Sequence, residues 1–152
     1  QSMEKNYPNI EVSYEFVDAV AMRLVQWPNS YDVLITSNLF GDILTDEASV
    51  ISGSMGLMPS ASVGSENALY EPIHGSYPEA AGKNIANPIA SILSLSMMLD
   101  HSFNLKKESE IINNAVEESL RNKYVTPDLS SDKSSLSTDQ VGDYIVDFIE
   151  KN

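Results

Sequence analysis

Residues 31–47 read YDVLITSNLFGDILTDE, and this stretch indicates how the chain folds. Its first six residues, 31–36, form a short apolar run with branched side chains, which is typical of a buried strand. Ser37 and Asn38 then lead into a predicted helix that runs to about Ser52. A strand followed directly by a helix is the repeating unit of α/β proteins.

Strands and helices also alternate on either side of this stretch. Residues 10–16 alternate apolar and polar side chains, as a half-exposed strand does, and a helical stripe follows over residues 18–26. The last helix begins at Ser137 and Gln140, which resemble a capping box. The other predicted elements are strands at Ala61–Val63 and Ala68–Glu71 and helices at residues 87–99 and 106–122. The predicted class is therefore α/β, as two half-domains that meet near Ser65.

The composition argues against several classes of function. A net charge of −13 disfavours binding to nucleic acid or to an anionic membrane surface. No apolar run approaches the roughly 20 residues that span a bilayer. The absence of cysteine excludes thiolate metal sites and disulfides. These features fit a reducing compartment, and we expect a cytoplasmic protein.

Asp42 and Asp46 lie four residues apart, which places both carboxylates on one face of the predicted helix. Two like charges at this spacing weaken a helix by about 0.2–0.5 kcal/mol. One interpretation is helix-start chemistry, with Asn38 or Gly41 as the cap and Asp42 near the positive end of the dipole. The other interpretation is a divalent cation held by both carboxylates, which also accounts for Asp46.

Residues 73–86 contain no long apolar run and form a long predicted loop, of the kind that is usually functional or disordered. This is either an ordinary surface loop or a backbone cradle for a ligand. In a cradle, Gly75 and Gly82 would adopt positive φ or let the ligand approach closely, and the His74 ring would stack on or bond a nucleotide. No G-x-G-x-x-G follows a strand, so the usual dinucleotide fingerprint is missing.

Two segments make the chain recognisable: NLFGDILTDEASVISGSMGLMPSASVG (residues 38–64) and LYEPIHGSYPEAAGKNIANP (residues 69–88). With them the chain resembles the β-hydroxyacid oxidative decarboxylases, the isocitrate/isopropylmalate dehydrogenase family. The resemblance covers nearly the whole chain. Glu47-Ala48-Ser49 favours the isopropylmalate dehydrogenase branch, because isocitrate and homoisocitrate relatives usually have a Leu-Ala-Ala type sequence there.

The resemblance implies two sets of site residues. Asp42 and Asp46 match the family's Mg²⁺ or Mn²⁺ ligands, and Asp18 matches a third aspartate that reaches across a homodimer into the partner's site. The residues that match the loop holding the adenosine half of the cofactor are His74, Gly75, Ser76, Tyr77, Glu79, Ile85 and Asn87. Many members have aspartate where this chain has Glu79. The Glu79 carboxylate would repel the 2′-phosphate of NADP, so the implied cofactor is NAD.

The reaction that the resemblance implies is oxidation of a 2-hydroxy dicarboxylate, 3-isopropylmalate, by NAD⁺ and then decarboxylation, a step of leucine biosynthesis. Two alternatives stay open. One is a sibling dehydrogenase that acts on isocitrate, homoisocitrate or tartrate. The other is a regulatory subunit without catalytic activity.

The family's chain is more than twice as long as this one, so the resemblance implies an incomplete fold. Residues 1–65 would be part of the dimerising domain with the metal ligands, and residues 66–152 the C-terminal part of the cofactor domain. The family's catalytic Tyr and Lys and its arginine clamp would precede Gln1. The presence of only two arginines, Arg23 and Arg121, agrees with this. We expect exposed apolar edges and no stable, active monomer from this chain alone.

Overall fold

The computed structural model describes residues 6–130 and 134–152, which form helices, short 3₁₀ turns and one small sheet. The chain divides into two compact units, Gln1–Ala48 and Ser49–Asn152. This division does not test the predicted domain boundary near Ser65, which stays a prediction. Each unit is described by itself.

The first unit is built on two helices. Helix α1 spans Val17–Gln26, one residue longer than predicted, and helix α2 spans Asn38–Ser52, as predicted, passing the division between the units. Val20 and Leu24 of α1 are buried with Leu44 of α2. A 3₁₀ turn at Pro28–Ser30 follows α1. Apolar residues spaced one turn apart thus form the small core of this unit.

The two strands predicted in the first unit are wrong, because residues 10–16 and 31–36 are not in strands. Apart from Tyr31, which is half-buried, their apolar side chains are exposed, with Phe16 at 84% and Ile35 at 96% of full exposure. A strand needs a neighbouring strand to pair its backbone N–H and C=O groups. Within residues 6–130 and 134–152, neither segment has such a neighbour. The apolar pattern is therefore present without the sheet that would bury it.

The described residues of the second unit form a hairpin and three α-helices. Strands β1, Pro59–Val63, and β2, Ala68–Pro72, pair antiparallel, with Pro59 opposite Pro72 and Val63 opposite Ala68. The turn is closed by the Gly64 amide, which donates to the Asn67 carbonyl over 2.9 Å. Both strands had been predicted, two residues shorter at the start of β1 and one shorter at the end of β2.

Three helices form the main core of the second unit. They are α3, Ile89–His101, α4, Lys106–Arg121, and α5, Thr138–Ile149. Their predicted apolar stripes meet at Ile89, Ala115, Val116, Val141 and Ile145, all buried. The predicted capping box is confirmed: the Ser137 amide donates to Gln140 Oε1 over 3.0 Å. These helices agree with their local sequence signals to within one or two residues.

Polar groups inside the helical core are paired. Ser96 Oγ of α3 lies 2.8 Å from the Ser109 hydroxyl, and its single proton is shared between the Ser109 carbonyl at 3.1 Å and Asn113 Oδ1 at 2.9 Å, both on α4. Small buried hydroxyls let two helices approach closely, and the bonds fix the position of one helix along the other. In the described part of the chain, no helix is long and apolar enough to cross a membrane.

We predict that Val141→Ala lowers the free energy of unfolding, whereas Val146→Ala on the same helix does not. Val141 is fully buried and Val146 is 52% exposed. Removing two buried methyl groups costs about 0.8 kcal/mol each plus a cavity term, or about 2 kcal/mol in all. Urea denaturation of the complete gene product, followed by circular dichroism at 222 nm, measures both changes. Equal losses in the two variants would contradict this core.

Candidate cofactor pocket and metal ligands

A cavity of about 420 Å³ lies in the second unit. Four chain segments form it: the turn before β1, the residues after β2, the residues before α3, and the loop between α4 and α5. The lining residues are Ser54, Met55, Gly56, His74, Gly75, Ser76, Tyr77, Ile85, Ala86, Asn87 and Asp128. Its walls combine apolar side chains with a few polar groups, as cofactor and ligand pockets usually do.

The cavity brings together six of the seven residues predicted to bind the adenosine half of the cofactor. The exception is Glu79, which lies in a 3₁₀ turn at Pro78–Ala80, is exposed and does not line the cavity. The predicted loop thus folds back on itself, because both of its ends, residues 74–77 and 85–87, reach one cavity. Their roles in binding stay predictions.

The cradle interpretation expects one of two features at Gly75 and Gly82, a positive φ or room for a ligand to approach closely. Gly82 has a φ of +75°, which is one of these two features, but it does not line the cavity. Gly75 does not adopt positive φ, and a Cβ added there would meet no atom within 4 Å. Tyr77 has a φ of +44° instead, a conformation that non-glycine residues rarely adopt. Gly75 therefore leaves open space beside the cavity and does not make a left-handed turn.

Asn87 is bonded on both sides of its carboxamide. Its Oδ1 accepts from the Ile89 amide over 3.0 Å at the start of α3, which confirms the predicted capping role. Its Nδ2 donates to Asp128 over 3.0 Å. Gly56 packs against the same side chain so closely that a Cβ added at Gly56 would lie 2.6 Å from the Asn87 Cβ. Asn87 therefore joins three of the four segments that line the cavity.

Asp128 is the main cavity residue that the sequence did not reveal. Its carboxylate accepts hydrogen bonds from Ser54 Oγ, Asn87 Nδ2 and Thr126 Oγ1. Desolvation raises the pKa of Asp128, but the three hydrogen bonds together outweigh it and hold the pKa below its usual value. In the sequence, Thr126-Pro127-Asp128 is only a turn signal. Nothing in that signal shows that the side chain points into a cavity.

The two predicted metal ligands on α2 lie one turn apart and are exposed. Asp42 Oδ2 accepts a hydrogen bond from Asn38 Nδ2 over 3.1 Å. Because α2 begins at Asn38, Gly41 lies inside the helix, and Asp42 lies beyond its first turn. The helix-start interpretation is therefore weakened, since the dipole acts mainly within the first turn.

Asp18 lies in the first turn of α1, where its Oδ1 accepts from the Ala19 amide over 2.9 Å. Among residues 6–130 and 134–152, no three acidic or histidine side chains lie close enough together to hold a metal ion. One copy of the chain does not bring Asp18 together with Asp42 and Asp46. The predicted set of three ligands requires a second copy and stays a prediction.

Comparison with known proteins shows the family. The sequence profile described as isocitrate/isopropylmalate dehydrogenase matches residues 1–145. This chain belongs to the isocitrate/isopropylmalate dehydrogenase family. The resemblance found in the sequence is thereby confirmed, over nearly the whole chain.

Two curated relatives in the isocitrate/isopropylmalate dehydrogenase family are about equally similar to this chain. The 3-isopropylmalate dehydrogenase of Aquifex aeolicus is 50% identical over 149 residues, which are 97% of this chain and 41% of that protein. The homoisocitrate dehydrogenase of Methanocaldococcus jannaschii is 50% identical over 147 residues, 97% of this chain and 41% of that protein. The chain therefore spans about two fifths of the length of these relatives.

The fold agrees with the isocitrate/isopropylmalate dehydrogenase family as well. The crystal structure of isocitrate dehydrogenase from Methylococcus capsulatus matches with a TM-score of 0.93 and 41% identity, covering 97% of this chain and 43% of that one. The predicted α/β fold of this family, incomplete in this chain, is confirmed. The absence of the two predicted strands in residues 10–16 and 31–36 does not alter that assignment.

We predict that the same substitution, glycine to alanine, has opposite effects at two positions. Gly56→Ala should lower the free energy of unfolding by about 1–3 kcal/mol, because the new Cβ overlaps Asn87. Gly142→Ala, inside α5 with no atom within 4 Å of the added Cβ, should raise it by about 0.5–1 kcal/mol. Urea denaturation measures both. A stability gain for Gly56→Ala would contradict the close contact.

We also predict that Asp128 contributes to stability only above acidic pH. A carboxylate with a lowered pKa in the folded state stabilises that state above its unfolded pKa of roughly 4, and the contribution is lost as pH falls through the folded value. The difference in unfolding free energy between the parent and Asp128→Asn should be largest at neutral pH and shrink below about pH 4. A difference that stays constant from neutral to acidic pH would contradict the hydrogen-bonded carboxylate.

Proposed function

We propose that this chain supplies the adenosine-binding part of an NAD site and two metal-binding aspartates of a dehydrogenase. The dehydrogenase oxidises and decarboxylates 3-isopropylmalate in leucine biosynthesis. The observation that supports this most is the cavity of about 420 Å³, which gathers six of the seven residues predicted for the cofactor. The names of several relatives at about 50% identity support the substrate.

The cavity suits the adenosine half of a dinucleotide. Its volume is within the range of known ligand pockets, which is about 300–1,000 Å³. Met55 and Ile85 offer apolar surface to a base. The half-buried His74 ring offers a flat face, and its Nδ1 is 2.9 Å from the Gly75 carbonyl. The open space at Gly75 lets a ligand approach the backbone closely.

Glu79 favours NAD over NADP. Its carboxylate is exposed and lies two residues after Tyr77, which lines the cavity. Next to the 2′-phosphate of NADP, two like charges about 4 Å apart would repel each other by roughly 1–4 kcal/mol, from water-like to surface-like dielectric. The hydroxyls of an NAD ribose would instead donate to the carboxylate.

The two aspartates of α2 suit a hard divalent cation. Carboxylate oxygens are the ligands that Mg²⁺ and Mn²⁺ prefer. A site with only two or three carboxylates leaves the other coordination positions of the ion to water and substrate. The side-chain Nδ2 of Asn38 donates a hydrogen bond to the Asp42 carboxylate over 3.1 Å and holds it in place. When bound, the ion would stabilise the negative charge that develops on the substrate oxygen. A second copy of the chain in a homodimer would supply Asp18.

In the proposed reaction, C2 of the substrate gives a hydride to NAD⁺ and its hydroxyl loses a proton. The carboxylate on C3 then leaves as CO₂, and C3 takes up a proton. This chain would bind the cofactor and would hold the metal through Asp42 and Asp46. The groups that transfer protons belong to the part of the family's site that this chain does not cover. The alternative substrate is homoisocitrate, because the Methanocaldococcus jannaschii homoisocitrate dehydrogenase is also 50% identical.

We predict that the complete gene product binds NAD⁺ more tightly than NADP⁺ and reduces NAD⁺ with 3-isopropylmalate only when Mg²⁺ or Mn²⁺ is present. Calorimetry measures binding, and absorbance at 340 nm measures turnover with 3-isopropylmalate, isocitrate and homoisocitrate. Asp42→Asn and Asp46→Asn should raise the Mg²⁺ concentration for half-maximal rate at least about 10- to 100-fold and leave NAD⁺ binding unchanged. Asp143→Asn, the same charge change at an exposed position of α5, is the control.

Three outcomes distinguish the parts of this proposal. A folded protein that does not bind NAD⁺ would contradict the cofactor assignment. Turnover with homoisocitrate alone would replace the substrate and keep the chemistry. Full activity of Asp42→Asn at low Mg²⁺ would show that this residue is not a metal ligand.

A further inference from the structure

The end of the cofactor loop is bonded to the start of the last helix, more than fifty residues later in the chain. The Thr138 amide donates to the Asn84 carbonyl over 3.1 Å, and the Thr138 hydroxyl donates to the Ala86 carbonyl over 2.6 Å. The Asp139 amide donates to Asn84 Oδ1 over 3.3 Å. Three hydrogen bonds thus connect residues 84–86 with the first two residues of α5.

These bonds satisfy groups that a helix cannot satisfy by itself. The first amides of an α-helix have no partner within the helix. In α5 the Thr138 and Asp139 amides are bonded by Asn84, while the Ser137 amide is bonded by Gln140 Oε1 at 3.0 Å. Asn84 has a φ of +55°, a left-handed conformation that asparagine tolerates better than most residues. The loop therefore caps the helix, and the helix holds the loop.

Helix α5, which makes this contact, is itself held in the core of the second unit. Two turns after Thr138, Ile145 is only 2% exposed in the core of the second unit. At the other end of the held segment, the Asn87 side chain bonds the start of α3 and Asp128. Residues 85–87, which line the cavity, are thus fixed from both sides by groups that α5, α3 and the 126–128 loop supply.

We propose that Thr138 and Asn84 are positioning residues for the cofactor pocket. Neither lines the cavity, and both act through the backbone of Ile85–Asn87. The start of α5 holds this segment in the shape that receives the adenosine half of NAD. This inference rests on the proposed function, because it takes NAD to be the ligand of the cavity.

The test compares two substitutions of Thr138 in the complete gene product. Thr138→Val removes the hydroxyl at nearly constant volume, and Thr138→Ser keeps it. The dissociation constant for NAD⁺, measured by calorimetry, should rise about three- to tenfold in Thr138→Val, which corresponds to one lost hydrogen bond. Thr138→Ser should stay within about twofold of the parent, since its hydroxyl can still donate. Turnover at saturating NAD⁺ should change little in either variant, so the effect appears in KM and not in kcat.

Val141→Ala separates positioning from general stability. It weakens the packing of the same helix without touching the loop, so it should lower resistance to urea and leave the NAD⁺ dissociation constant unchanged wherever the protein is fully folded. Equal NAD⁺ affinity in Thr138→Val and the parent would overturn this inference and leave the proposed function standing. A Thr138→Ser variant as weak as Thr138→Val would also overturn it. Absence of NAD⁺ binding in the folded parent would overturn both.

Discussion

The cavity depends on the two hydrogen bonds that the carboxamide of Asn87 makes. Its oxygen caps α3 at the Ile89 amide, and its nitrogen donates to Asp128, each over 3.0 Å. The side chain also fills the space that a Cβ at Gly56 would need. An amide can accept on one side and donate on the other, so this one residue joins a helix start, a turn and a distant carboxylate. Neither aspartate nor leucine could do both.

The two units differ in how well they bury their apolar residues. In the second unit, three helices cover one another, with Ile89, Val141 and Ile145 at the centre. In the described part of the first unit, the core has three buried residues, while most apolar side chains of residues 10–16 and 31–36 are exposed. The unit that carries the predicted metal ligands therefore has long apolar runs that its own small core does not cover.

The helices and the hairpin could be predicted from the sequence because their signals are local. Asn87-Pro88 and Ser137 with Gln140 mark helix starts within a few residues, and the apolar stripe of α4 needs only the helical period. Residues 10–16 and 31–36 have the sequence pattern of strands but are not strands, and their pattern alone could not show this. A strand exists only with a partner, and an apolar run does not show whether a partner is present.

The candidate site was predictable in part, for a related reason. The loop residues that line the cavity, such as His74 and Asn87, lie in the segment that carries the family resemblance, and the resemblance named them. Asp128 was missed because its importance comes from distant donors, Ser54 and Asn87. The bonds from Thr138 to the loop were missed too, because they join residues 52 positions apart. Contacts of this kind follow from the packed structure and leave no local signal.

The most direct test of the central claim is a crystal structure of the complete gene product grown with saturating NAD⁺. The account predicts the adenine base inside the cavity, between His74 and Asn87, and its ribose at the edge of the cavity, where the hydroxyls can donate to Glu79. A cofactor bound elsewhere, or a cavity that holds only water at saturating NAD⁺, would contradict it.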